Sequence, residues 1–393
     1  MTAQTIYIID DDQAMVDLLA EYVREIGCQV KTYTEAVIFF RENSSFVEGS
    51  IILLDLNMPG MDGIEVMRQM VKTGKSLPLI LMSGFDSGVL HSAEQLAKEH
   101  SLSIIACLPK PFGFDAFKKI IQEHTKVKRG PGSRPKISIS ILEIMQAIEH
   151  NQLVLHYQPQ VDIKTQSLIG VEALVRWQHP QHGLIYPDSF ISLAEDNGLI
   201  GALTEQVIQQ AVSQASSWKS EELEIQISVN ISAENITSLT LPEQLSRVLR
   251  EHQVDPTMLT LEVTESALMG HVATSLDILT RLRIKGIELS IDDFGTGYSS
   301  LSQLYRIPFT ELKVDKSFVA NIAHDPDALG IVKTCIMLGH ELKMQVVAEG
   351  VEDKETLEIL KEIGCDIAQG YHIARPMPAE DIIPWSTHHG YRF

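Results

Sequence analysis

Residues 287–300 read IELSIDDFGTGYSS. Ile287, Leu289 and Ile291 alternate with other residues, then give way to adjacent carboxylates, Asp292 and Asp293, and a Phe-Gly-Thr-Gly turn. Alternation at period two followed by glycines predicts a buried strand that ends in an acidic pair and runs into a flexible loop. Neighbouring carboxylates repel unless a positive charge lies between them. The pair therefore either flanks a cation or is solvated turn chemistry, and the segment alone leaves both open.

The whole chain narrows the choice. It has 393 residues, enough for two or three domains, with 44% hydrophobic and 21% charged residues, an ordinary globular composition. No apolar run approaches a membrane span, and the opening MTAQTIYIIDDD has no basic stretch ahead of an apolar one. Neither a membrane partner nor a signal peptide is expected. The cysteines, Cys28, Cys107, Cys335 and Cys365, form no CxxC pair and are expected as reduced thiols of a cytoplasmic protein. A formal net charge of −20 argues against duplex DNA as a partner. A phosphate-bearing substrate would have to be met by cations or by a few placed Arg and Lys residues.

Outward from 287–291, further β-rich apolar runs lie at 153–157, 168–174, 224–229, 259–263, 311–314, 344–348 and 367–368. Amphipathic patterns at 203–218, 276–284 and 354–363 fit between them. Eight strand–helix units in about 250 residues predict a (β/α)8 TIM-like barrel. The polar residues at or near successive strand ends are Gln158, Glu172, Asn230, Glu262, Asp292 with Asp293, Lys313, Glu349 and Gln369. Each has a bland alternative: Glu262 on the solvent side of its strand, Asn230 as a helix cap, Lys313 as a surface lysine. A barrel would bring them all to one mouth. Such an oxygen-rich cluster suits Mg²⁺ or Mn²⁺, and two cations bridged by carboxylates are a standard arrangement for phosphodiester hydrolysis. His179, His182, His388 and His389 read as surface histidines.

The first third of the chain has a different rhythm. Apolar runs at 6–9, 51–54, 79–82 and 104–108 alternate with helical patterns, one of them at 14–26. This predicts a doubly wound parallel sheet, an α/β fold with its chemistry at the C-terminal strand ends. Those ends carry Asp10, Asp11, Asp55, Ser83 and Lys110. The acidic pair, the segment DLNMPGMDG, Ser83 and the Lys110-Pro111 pair together resemble the receiver domain of two-component response regulators. The resemblance implies that Asp55 accepts a phosphoryl group from a sensor histidine kinase. It also implies one Mg²⁺ on Asp10, Asp11 and Asp55, and a sensing role for Ser83 and Lys110. Cys107 stands where the family usually has its switch aromatic. The expected division is a receiver at 1–125, a linker at 126–139 containing KVKRGPGSRPK, and a barrel at 140–393.

The barrel segment resembles the EAL domain of cyclic di-GMP phosphodiesterases. The likeness is carried by EALVR at 172–176, YQPQ at 157–160, RWQHP at 176–180, SVNIS at 228–232 and LEVTES at 261–266. It continues through DDFGTGYSSL at 292–301, LKVDKSFV at 312–319, AEGVE at 348–352 and AQGY at 368–371. It implies two Mg²⁺ or Mn²⁺ ions held by Glu172, Asn230, Glu262, Asp292 and Asp293, with Asp315 in the surrounding network. By the same resemblance Glu349 is the general base and Lys313 positions the attacking water. Gln158, Arg176 and Gln369 contact the dinucleotide, and Glu265 and Glu352 steady the loop after Asp293. The implied product is linear pGpG and the implied assembly a homodimer or higher oligomer. The alternative is a catalytically silent cyclic di-GMP receptor or protein-docking module. A helix-turn-helix output is not expected.

Overall fold

The computed structural model describes residues 4–43, 49–74, 77–84, 87–100, 102–129, 139–269, 272–296 and 301–391. It separates into two units, Met1–Pro135 and Lys136–Phe393.

The first unit is built on β1 (Thr5–Ile9), β2 (Gln29–Tyr33), β3 (Ile51–Asp55), β4 (Leu79–Ser83) and β5 (Ile104–Pro109), all parallel in the order β2-β1-β3-β4-β5. Helices α1 (Gln13–Glu25), α2 (Ala36–Glu42), α3 (Gly63–Lys72), α4 (Ser87–Glu99) and α5 (Phe114–Arg129) connect and follow them. Every residue of β1, β3 and β4 is buried. Successive side chains feed opposite faces. Tyr7, Ile9, Ile52 and Leu54 enter one core, while Ile6, Ile8, Ile51 and Leu53 enter the other. That is why these strands read as unbroken apolar runs. β2 gives no such run: it lies at the sheet edge and only Tyr33 is buried.

Two aspartates start helices here. Asp12 accepts from the N–H groups of Ala14 and Met15 at the head of α1, and Asp62 accepts from Glu65 N–H at the head of α3. Gly63 follows because nothing larger fits: a Cβ there would stand 2.7 Å from the carbonyl oxygen of Asp55. Helix α5 continues through Arg129, past the expected start of the linker at 126. Lys126–Arg129 contain no helix breaker. Residues 130–138 of the expected linker lie outside the described residues.

The second unit opens with α6 (Ile141–Glu149), begun by a capping box in which Ser140 and Glu143 satisfy each other's backbone N–H groups. Its strands are β6 (Leu153–Asp162), β7 (Leu168–His179), β8 (Gly183–Ile185), β9 (Gln226–Ile231) and β10 (Leu259–Thr264). They continue with β11 (Glu288–Phe294), β12 (Glu311–Val314), β13 (Gln345–Ala348) and β14 (Ile367–Ala368). Helices between them are α7 (Ile191–Asp196), α8 (Ile200–Ser220), α9 (Leu241–Glu251), α10 (Val272–Ile284) and α11 (Leu301–Arg306). They are followed by α12 (Lys316–Val319), α13 (Pro326–Glu341), α14 (Lys354–Glu362) and α15 (Ala379–His389).

The order β6-β14-β13-β12-β11-β10-β9-β7 closes through β6–β7 pairing, giving an eight-stranded barrel with β8 as a flap on β7. One strand departs from the expected pattern. β6 runs antiparallel to both neighbours, β7 and β14. Only residues 163–167 separate β6 from β7. So short a link makes a hairpin, whereas a parallel crossover needs a dozen residues or more.

Candidate active site at the barrel mouth

The site is assembled by register. Glu262 on β10 lies opposite Asn230 of β9 and Ser290 of β11, and Thr264 lies opposite Asp292. On the other side of β9, Glu172 of β7 pairs with Ser228, and Gln158 of β6 pairs with Glu172. Inward side chains recur at every second residue, so Glu172, Asn230, Glu262 and Asp292 come round the wall in sequence.

Asp293 breaks that parity. The β11–β12 register shifts between Ile291 and Phe294, and Asp293 takes φ 55°, a left-handed conformation that Asp tolerates better than most residues. On a regular strand Asp292 and Asp293 would face opposite ways. The bulge instead brings an oxygen of each within 4.8 Å of the other and of a Glu349 oxygen. Asp293 N–H donates to Asp292 Oδ1 at 2.9 Å, fixing the turn.

Lys313 is the counter-charge. It is fully buried, and its Nζ lies 2.6 Å from Glu349, 2.9 Å from Glu262, 3.5 Å from Asp292 and 3.6 Å from Glu172. Burial opposes its charge, but the four carboxylates outweigh burial and raise its pKa well above the usual lysine range. Its neighbours divide. Glu172 is held below the ordinary range: Lys313 and hydrogen bonds from Gln369 and Asn230 overcome its burial. Burial pushes Glu262 well up, with the charges of Glu172 and Asp292 adding to it. Burial also carries Glu349 up to about 8 against the pull of Lys313. Asp293 rises to about 6, by burial and then by the charges of Asp292 and Asp315.

These residues fit a divalent cation. One ammonium faces more carboxylates than it can neutralise. The second oxygen of Glu262, Oε1, is buried with no hydrogen-bond partner among the described residues. An orphaned carboxylate oxygen beside a cluster of oxygen donors suits a hard metal ion. Beside the cluster, a cavity of about 610 Å³ is lined in part by Leu174, Asp188, Asn230, Thr264, Asp292 and Asp293.

The receiver-like unit gathers its set equally tightly. Lys110 Nζ lies 2.7 Å from Asp10 and 2.6 Å from Asp55. Oxygens of Asp10, Asp11 and Asp55 fall within 4.8 Å of one another. Asp55 and Ser83 are buried, Asp11 is exposed, and Asn57 N–H donates to Asp55 at 3.0 Å. Burial raises the Asp55 pKa despite the adjacent lysine. Asp12, the last of the acidic run, faces its own helix as a cap.

Two family models match in the same order: the response regulator receiver domain over residues 6–122 and the EAL domain over residues 141–376. The chain belongs to the EAL family. Its EAL domain follows a receiver domain, as anticipated from the sequence. The bifunctional diguanylate cyclase/cyclic di-GMP phosphodiesterase MucR of Pseudomonas aeruginosa is 46% identical over 61% of this chain and 35% of its own length. This chain therefore spans about a third of that relative. The cyclic di-GMP phosphodiesterase RocR of the same organism is 31% identical over 86% of both chains. The solved structure of the PaMucR phosphodiesterase in complex with c-di-GMP superposes with a TM-score of 0.59 at 45% identity, covering 62% of this chain and 98% of that one.

Around the core of the EAL site, the remaining expected residues take distinct places. Gln369 donates to Glu172 at 2.5 Å and to Gln158 at 3.3 Å, and Gln158 donates to the Ala374 carbonyl at 3.1 Å. Arg176 lies further along β7, buried over the Tyr186 ring, and donates to the Val175 carbonyl. Its Nε has no partner among the described residues. Asp315 caps α12 through Ser317 and faces Asp293. Glu265 accepts from Gly295 N–H at 3.3 Å. Glu352 is exposed, and residues 297–300 of the loop it was expected to steady lie outside the described residues.

Of the four histidines expected at the surface, His179 is not there. It is 7% exposed, packs its ring at a tilt against those of Trp177 and His182, and accepts from the N–H groups of Gln181 and His182. Its place on β7 under the hairpin to β8 explains the burial. Among the buried polar residues on the barrel strands that the sequence did not single out are Gln160 and Glu311. Both sit two positions from a recognised site residue on the same strand, which was the available signal. Among the described residues no helix is long and apolar enough to cross a membrane.

Proposed function

We propose that this chain is a phosphorylation-controlled phosphodiesterase that hydrolyses cyclic di-GMP to linear pGpG. The observation that carries the reading is Lys313, fully buried among four carboxylates at the end of the barrel where Asp292 and Asp293 are bulged together. The names of the similar proteins supply the substrate class.

Glu172, Asn230, Glu262 and Asp292 would hold one Mg²⁺ or Mn²⁺, and Asp292 with Asp293 a second. Bound cations would neutralise the cluster and the substrate phosphate and make the nucleophilic water more acidic. Glu349 accepts the proton of that water. Lys313 holds Glu349 and offsets negative charge that develops on the phosphoryl oxygens. Arg176 presents a guanidinium to a phosphate of the dinucleotide. The water oxygen forms a new bond to phosphorus, the P–O3′ bond breaks, and the leaving oxygen takes a proton. The ring opens to a linear dinucleotide with one terminal phosphate.

In the receiver, Asp55 takes the phosphoryl group from a cognate histidine kinase, and Asp10, Asp11 and Asp55 would hold one Mg²⁺. Ser83 and Lys110 hold the phosphoryl oxygens. Self-association completes the reading.

Chromatography of cyclic di-GMP incubated with pure protein and Mg²⁺ or Mn²⁺ tests it. Linear dinucleotide should form, and Glu349→Gln should slow it by about 10²–10⁴-fold, the usual worth of a general base. Tight binding without turnover, across phosphorylation states, would leave a receptor instead of an enzyme.

A further inference from the structure

We propose that Gln160 is a positioning residue that sets the polarity of an amide chain ending on Glu172. The proposal rests on the reading of Glu172 as a metal ligand. Gln160 is 3% exposed, and its Nε2 donates to Gln369 Oε1 at 2.9 Å. That bond commits the Gln369 oxygen as an acceptor. The Gln369 NH2 group must then face the other way, where its two hydrogens meet Glu172 Oε2 and Gln158 Oε1. Groups that hydrogen-bond a ligand carboxylate fix its orientation toward the ion.

A primary amide has two ends of similar shape and opposite polarity. Without Gln160, Gln369 could turn its oxygen toward Glu172 and repel it. Gln160 removes that choice through its bond to Gln369.

The backbone is arranged around this chain. Gln160 lies opposite Gly170 in the β6–β7 hairpin, and a Cβ at 170 would stand 3.0 Å from Gln160 Oε1. Gly170 thus leaves the room that Gln160 occupies. At the far end, Gln369 N–H donates to Ala348 and its carbonyl accepts from Val351 N–H. Gly370 permits that approach, since a Cβ there would fall 2.2 Å from the Val351 oxygen. Gln369 is therefore fixed in position and free only in the sense of its amide.

Mn²⁺ binding followed by electron paramagnetic resonance of the free ion tests the proposal. Gln160→Met keeps length and removes the donor. It should raise the Mn²⁺ dissociation constant about 10-fold or more, as loss of groups behind metal ligands commonly does. Turnover should recover toward wild type at saturating Mn²⁺, which a merely misfolded barrel would not do. Gly170→Ala, pressing on Gln160 from the partner strand, should shift the affinity in the same direction and serves if Gln160→Met does not fold. Wild-type Mn²⁺ affinity in the folded variant overturns the proposal. Undiminished Mn²⁺ binding by Glu172→Gln would overturn the metal-ligand reading, and this one with it.

Discussion

At the scale of single residues, the barrel site turns on how far burial displaces charge. Lys313 and the carboxylates around it form one coupled unit, and removing the lysine from such a buried set leaves uncompensated charge. The balance has a pH signature in protein stripped of metal. Glu349 titrates near 8 in the folded chain, against an ordinary value of 4.5. Asp293 titrates near 6, against 3.8. Within each window the folded state holds a proton that the unfolded state has released. Stability contributed by these groups is therefore present at low pH and lost as pH rises toward the folded values. The melting temperature of EDTA-treated protein should fall from about pH 5 to about pH 8, and Glu349→Gln should flatten the upper part of that fall. Mg²⁺ should restore most stability at the alkaline end. A metal-free melting temperature that rises across this range would contradict the charge assignments.

At the scale of elements, what could be read from sequence depended on whether an element's neighbours left a mark on its residues. β1, β3 and β4 announced themselves because both faces are covered. β2 did not, because its exposed edge permits Gln29, Lys31 and Thr32. The polarity of β6 was decided by a link of residues 163–167, a signal of length and not of composition. Asp292 and Asp293 were visible as a pair, but the bulge that turns them to one side is a property of β11–β12 register. Glu262 and Lys313 illustrate the same limit: an alternating charged residue faces water or the barrel interior according to closure, which no local pattern states. Backbone fit also carries a prediction. Gly63→Ala would press a methyl carbon against the Asp55 carbonyl and the Leu56 Cα, at 2.7 and 2.8 Å. Overpacking of this kind costs about 1–3 kcal/mol. Denaturant unfolding of the receiver should show that loss, together with slower phosphorylation at Asp55; an unchanged midpoint would show that α3 can shift freely.

At the scale of the whole molecule, the proposed function has a chain of net charge −20 meet phosphates at two places, and each place pairs carboxylates with one lysine. The receiver's prediction is direct: Asp55→Asn should abolish labelling by acetyl phosphate or a cognate kinase, and retained labelling would remove Asp55 as acceptor. If phosphorylation controls the barrel, the same substitution should also erase any change in turnover caused by the phosphodonor. The barrel's chemistry is tested most directly by isotope. Cyclic di-GMP hydrolysed in a single turnover in H2¹⁸O, with enzyme in excess and Mg²⁺ or Mn²⁺ present, should yield pGpG with one ¹⁸O on its terminal phosphate by mass spectrometry. Unlabelled linear product, or no linear product, would contradict attack by water at the barrel mouth.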